Sequence, residues 1–72
     1  MVDTILNIME TWPLQLVLQT SAGKVQMMLA ENTNIKHGRE ENLDPGKLRP
    51  GQHVRVLKQA ANGAIAELEI VD

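Results

Sequence analysis

The 72-residue chain has no cysteine, no phenylalanine and no tyrosine. Without cysteine it forms no disulfide and runs no thiolate chemistry, and its redox compartment is left open. With Trp12 as the only aromatic residue, any core must be aliphatic, drawn from Leu, Ile and Val with four Met as adaptable filler. No apolar run approaches the roughly 20 residues that span a bilayer. Asp3, Asn7 and Glu10 interrupt the start, so no basic segment leads into an apolar one as in a secretory signal. The expectation is a soluble chain with no membrane partner, cytoplasmic by default. A chain this short buries about 60% of its unfolded surface, enough for one domain over residues 1–72 with a stability of a few kcal/mol.

Catalytic groups are equally sparse. His37 and His53 are the only histidines, and no spacing of His with carboxylates makes a metal motif. Ser21 is the single serine, placed in a turn without a neighbouring base. Gly23, Gly46, Gly51 and Gly63 are scattered turn residues and not a phosphate cradle. Glu67 and Glu69 share one face of an extended segment, as solvated acids on a strand ordinarily do. The chain therefore reads as a non-enzyme with no cofactor.

What is present is alternation with period two. In Pro13–Thr20, Leu14, Leu16 and Leu18 point one way and Gln15, Val17 and Gln19 the other; in Lys24–Ala30, Val25, Met27 and Leu29 form the apolar set. Ser21-Ala22-Gly23 between them makes a hairpin. His53–Lys58 turns Val54 and Val56 inward, and Ala64–Val71 does the same with Ala66, Leu68 and Ile70. Asn62-Gly63 between these runs predicts a second hairpin with a type I′ turn. In Val2–Glu10 one face carries Val2, Thr4, Leu6 and Ile8, while Ile5 and Met9 make the other apolar too, so a two-sided strand competes with a helix. Asp44-Pro45-Gly46 and Arg49-Pro50-Gly51 are turns, with Leu43 and Leu48 as anchors for the segment, through one helical turn. Five strands, two hairpins and one long connection predict an all-β, five-stranded barrel, OB-like, with an SH3-like barrel as the alternative.

Thr33-x-Ile35, then Leu48-x-x-Gly51-x-x-Val54-x-Val56, then the Gly63 turn and a last strand ending Glu69-Ile70-Val71, resembles a family of small bacterial OB-like domains of unknown function. The resemblance covers nearly the whole chain and implies the barrel. It implies no activity, because that family has none to lend. The small residue usual early in the family's final strand is offset here, with Ala64 and Ala66 flanking Ile65. Glu10-Thr11-Trp12-Pro13 before an alternating strand is also similar, more faintly, to the opening of bacterial translation initiation factor one, a basic ribosome binder, whereas this chain has a net charge of −2.

Two functional expectations follow. Outward Ile5, Met9, Trp12, Val17 and Met28 make an apolar patch suited to protein interaction or assembly, as a monomer meeting a partner or as a homo-dimer. From Lys36 to Lys58, six Lys/Arg face three acids, a net of +3, while the remainder nets −5. Lys47, Arg49, His53, Arg55 and Lys58 in that stretch give the alternative, weak and salt-sensitive binding of single-stranded nucleic acid.

Overall fold

The computed structural model describes residues 2–11 and 13–71. It contains β1 (Asp3–Met9), β2 (Gln15–Thr20), β3 (Gly23–His37), β4 (His53–Gln59) and β5 (Ile65–Val71), with a 3₁₀ turn at Pro45–Lys47 between β3 and β4. All five strands lie in one sheet in the order β1-β2-β3-β5-β4, and β4 pairs back onto β1, so the hydrogen bonding closes into a ring. Every pairing is antiparallel except that of β3 with β5. The expected all-β chain of five strands is what the structure has.

The length of β3 makes the ring possible. Its first half pairs with β2 and its second half with β5, and the β5 register slips between Leu29 and Asn34. At that slip the Thr33 hydroxyl sits 2.7 Å from the Ala30 carbonyl oxygen and 2.6 Å from that of Ile65, which ties β3 to the first residue of β5. Two residues on, Ile35 is fully buried.

The interior is hydrocarbon. Leu16, Leu18, Val54, Ile65 and Leu68 are wholly buried, with Ile5, Leu29, Leu48 and Ile70 nearly so, and no polar side chain among the described residues is buried with them. Leu14, Met27 and Val56 pack against this cluster as expected. Fully burying an aliphatic side chain stabilises by about 1.5–3 kcal/mol.

Several expectations fail at bulges. Ile5 is 1% exposed and is therefore core, not part of an outward patch, while Leu6 is 41% exposed. The β1–β2 register shifts between Ile5 and Asn7. The extra residue, Leu6, sends two successive side chains outward before Ile8 returns to the core, so period two breaks in mid-strand. The same happens in β5. Ile65, outside the expected inward set, is buried while Ala66, placed in that set, is half-buried, where the register with β4 shifts twice between Val56 and Gln59. Val25 shares a face with buried Leu18 yet is 38% exposed, because β5 joins β3 only from Leu29 onward.

The second hairpin also differs from its expectation. Gly63 N–H donates to the Ala60 carbonyl and Ala60 N–H to that of Ala64. Gly63 has φ of +86° whereas Asn62 is not in the left-handed region. A three-residue connection with one left-handed glycine replaces the type I′ turn. Asn62 Oδ1 instead accepts from Ala64 N–H at 3.1 Å.

The long connection behaves as expected. Asp44 caps the 3₁₀ turn by accepting from Gly46 N–H at 2.8 Å, and Leu48 beyond it plugs the core. Gly51, at φ of +93°, donates its N–H to the Ile5 carbonyl at 2.7 Å and so hands the chain to β4 in register with β1.

Candidate interaction surfaces

The outer face of β1-β2-β3 is built from cross-strand rows. One row runs Met9, Gln15, Met28; the next runs Asn7, Val17, Gln26. Met9 and Val17 are half-buried and Met28 is 36% exposed; Met9 and Met28 stand directly opposite Gln15 on either side, and Val17 is the diagonal neighbour of each, about 7–8 Å away. Gln26 Nε2 donates to Gln15 Oε1 in their midst. Leu6, which the period-two reading placed inward, joins this face through the bulge. Of the apolar patch expected from sequence, Met9, Val17 and Met28 come together, Ile5 is removed to the core, and Trp12 lies outside the described residues.

This face ends in a free edge. Leu29 N–H donates to the Leu14 carbonyl at 2.8 Å. Because antiparallel bonding alternates, Leu16 with Met27 and Leu18 with Val25 also exchange bonds. Lys24 and Gln26 consequently turn their N–H and C=O away from β2. Among the described residues no strand meets them there, since β5 reaches β3 only at Leu29.

The basic residues do not form one surface. Arg55 Nη1 donates to Glu69 Oε1 at 3.1 Å. His53 Nδ1 and Thr4 Oγ1 form a 3.2 Å hydrogen bond across β4 and β1. Arg49 lies in the turn before β4, its Nη1 donating to the Gly46 carbonyl at 3.1 Å. Lys47 and Lys58 are exposed, and Lys58 is about 17 Å of extended chain from His53.

Glu67 and Glu69, the only candidate carboxylate pair, are each taken by a cation. Lys36 Nζ lies 2.9 Å from Glu67 and 3.5 Å from Glu41, beside the Arg55–Glu69 pair. The hydrogen bond to Glu67 holds the Lys36 ammonium above the ordinary lysine value; desolvation opposes this, and the charges of Glu67 and Glu41 add to it. The result is a charge ladder across β3, β5 and β4. Among the described residues no group of three or more His, Asp or Glu side chains converges as metal ligands would.

A groove at one end of the ring has no signature in the sequence. It encloses about 620 Å³, with Leu14 and Pro45 at its base and Glu10, Glu31 and Asp44 around it. Its residues come from three separate segments, which is why no local pattern announces it.

Ring and surfaces together define a small all-β chain whose polar groups are exposed or paired and whose unusual features are an edge and a groove. No family model, curated protein or solved structure matches this chain.

Proposed function

We propose that the chain is a non-enzymatic, OB-like barrel module that mediates protein interaction or assembly through its β2–β3 hairpin. The ring order β1-β2-β3-β5-β4, with β3–β5 as the one parallel pair, supports the OB-like reading over an SH3-like one. The observation that carries the functional reading is the unpaired edge at Lys24 and Gln26, with Val25 and Met28 exposed beside it. An open edge accepts an extended segment of a partner by main-chain hydrogen bonds, and alternate side chains then give specificity. Lys24 limits indiscriminate pairing, as charged residues on edges do.

Gln26→Pro tests it. Proline lacks the N–H and is tolerated where that N–H faces solvent, so the variant folds but blocks an incoming strand. A photo-crosslinker placed at Met28 captures a defined partner with the wild-type chain, and Gln26→Pro loses it while keeping its circular-dichroism spectrum. Capture unchanged by Gln26→Pro would sink the reading.

The competing proposal, single-stranded nucleic-acid binding through Lys47, Arg49, His53, Arg55 and Lys58, has less support. Glu69 already neutralises Arg55, Lys47 and Arg49 lie before β4 while His53 and Lys58 stand near its two ends, and stacking aromatics are limited to Trp12.

A further inference from the structure

Three chain segments meet at the end groove, and each brings one carboxylate: Glu10 from the β1–β2 link, Glu31 from β3, and Asp44 from the cap of the 3₁₀ turn. The floor is apolar and fixed in place, because Leu14 packs on the core and Pro45 opens the 3₁₀ turn. An adjoining hollow of about 40 Å³ shares Leu14, Glu31 and Pro45 with the groove and is lined further by Pro13, Leu29 and Ala30. That is room for the tip of an aliphatic side chain and little more.

The groove's charge is one-sided. The described ion pairs are Lys36 with Glu41 and Glu67, and Arg55 with Glu69; none involves Glu10, Glu31 or Asp44. No Lys or Arg is among the residues around the groove; Arg49, in the adjoining hollow that shares Glu10, Leu14, Pro45 and Gly46, has its Nη1 on the Gly46 and Leu48 carbonyls and in no described ion pair. Asp44 uses one oxygen on Gly46 N–H, and Glu10 and Glu31 are exposed. Exposed carboxylates alone are ordinary surface. Here they stand around the hydrocarbon of Leu14 and Pro45, a combination that favours a ligand both apolar and cationic and disfavours phosphates.

We propose that this groove docks an extended peptide segment with Lys or Arg on either side of one aliphatic residue. The aliphatic side chain sits on Leu14 and Pro45 and enters the hollow. The flanking cations meet Glu10, Glu31 and Asp44. This site is separate from the β3 edge and stands without it.

The probe is the capped peptide acetyl-Gly-Lys-Leu-Lys-Gly-amide, titrated into the ¹⁵N-labelled full chain at about 50 mM salt, where surface charge is least screened. Trp12, between Thr11 and Pro13 in sequence, supplies a fluorescence readout. Saturable shifts are expected at Thr11, Leu14 and Glu31. Replacing Lys by Glu in the peptide abolishes them, and replacing Leu by Ser weakens binding roughly tenfold. Glu10→Gln and Glu31→Gln, both at exposed positions, each weaken it about two- to fivefold. No saturation, equal binding of the Glu peptide, equal binding of the Ser peptide, or shifts gathered at Glu67 and Glu69 would each overturn the proposal. Gln26→Pro is expected to leave peptide binding intact, so failure at the hairpin and failure at the groove are told apart.

Discussion

Replacing Ile5 and Leu6 by alanine, one at a time, tests the bulge on which the β1 geometry depends. The two are neighbours of equal volume, but Ile5 is 1% exposed and Leu6 is 41% exposed. Ile5 faces Leu18, itself fully buried, so Ile5→Ala removes side-chain burial and leaves a cavity that the surrounding strands cannot close. Losses at such sites run to about 2–5 kcal/mol, and about 3 kcal/mol is expected here. Leu6→Ala removes a side chain from the outer face and leaves no enclosed cavity, so it should cost within about 0.5 kcal/mol. A chain of 72 residues has roughly 4–11 kcal/mol in all, so Ile5→Ala remains measurable, and Ile5→Val at about 1 kcal/mol provides a milder version. Urea unfolding followed by far-ultraviolet circular dichroism is the assay. With a slope of about 1 kcal/mol/M, the midpoint falls roughly 3 M for Ile5→Ala and under about 0.5 M for Leu6→Ala. A larger loss at Leu6 would mean that Leu6 and not Ile5 faces the core, as the period-two reading has it, and equal losses would mean that neither side chain is placed as described.

Other perturbations address single features. Gly63→Ala introduces a methyl group that meets nothing within 4 Å, so its cost, roughly 1 kcal/mol in a thermal melt, comes from the left-handed backbone alone; an unchanged melt would refute that. Lys36 is held above its ordinary value of 10.5, so the stability it contributes is complete below that pH and disappears as pH rises through the elevated folded value. With no Tyr or Cys to titrate, urea midpoints should hold to about pH 10 and fall beyond it. Lys36→Met should flatten the fall, and an equally steep decline in that variant would exclude the ladder as its cause. Glu69→Gln releases Arg55 and should cost at most about 1 kcal/mol. Wild-type chain titrated with single-stranded DNA at about 50 mM salt should show no saturable shift at Arg49, His53 or Arg55, conditions under which phosphate contacts are strongest; saturation there would favour the nucleic-acid proposal.

The parts of the fold that can be read from sequence are those where one physical rule acts alone. The β2–β3 hairpin has unbroken alternation on both arms, so Leu16, Leu18 and Leu29 fall in the core as the pattern predicts. Each residue of the Thr33-x-Ile35 and Leu48-x-x-Gly51-x-x-Val54 pattern serves the architecture. Thr33 supplies the hydroxyl that ties β3 to β5, Ile35, Leu48 and Val54 supply core side chains, and Gly51 is the left-handed residue that hands the chain to β4. A pattern made of such residues carries no activity with it. Where two rules compete, the pattern misleads. Leu6 looks as apolar as Ile5, and only the register against β2 decides which faces inward. Asn62-Gly63 signals a tight turn, but the Asn62 side chain bonds Ala64 N–H and the loop lengthens.

Surface chemistry is less legible because it depends on register between strands distant in sequence. Arg55 reads as a free cation in a stretch of net +3 until β4 is aligned with β5, which sets it directly opposite Glu69. Two register shifts lie just beyond that pair, between Val56 and Gln59. A one-residue slip in a strand moves every side chain to the other face, and across those irregularities the neighbours Leu57 and Lys58 are both exposed. The charge ladder and the acidic groove then have a common origin. Closing the ring gathers Glu67 and Glu69 against cations, and it sets Glu10, Glu31 and Asp44 around hydrocarbon, outside the described ion pairs. Lys36 and Arg55 leave the ladder with Glu41, Glu67 and Glu69 at a net of −1, whereas the three groove carboxylates sum to −3. The groove's carboxylates, which enter none of the described ion pairs, are where a cationic ligand gains most.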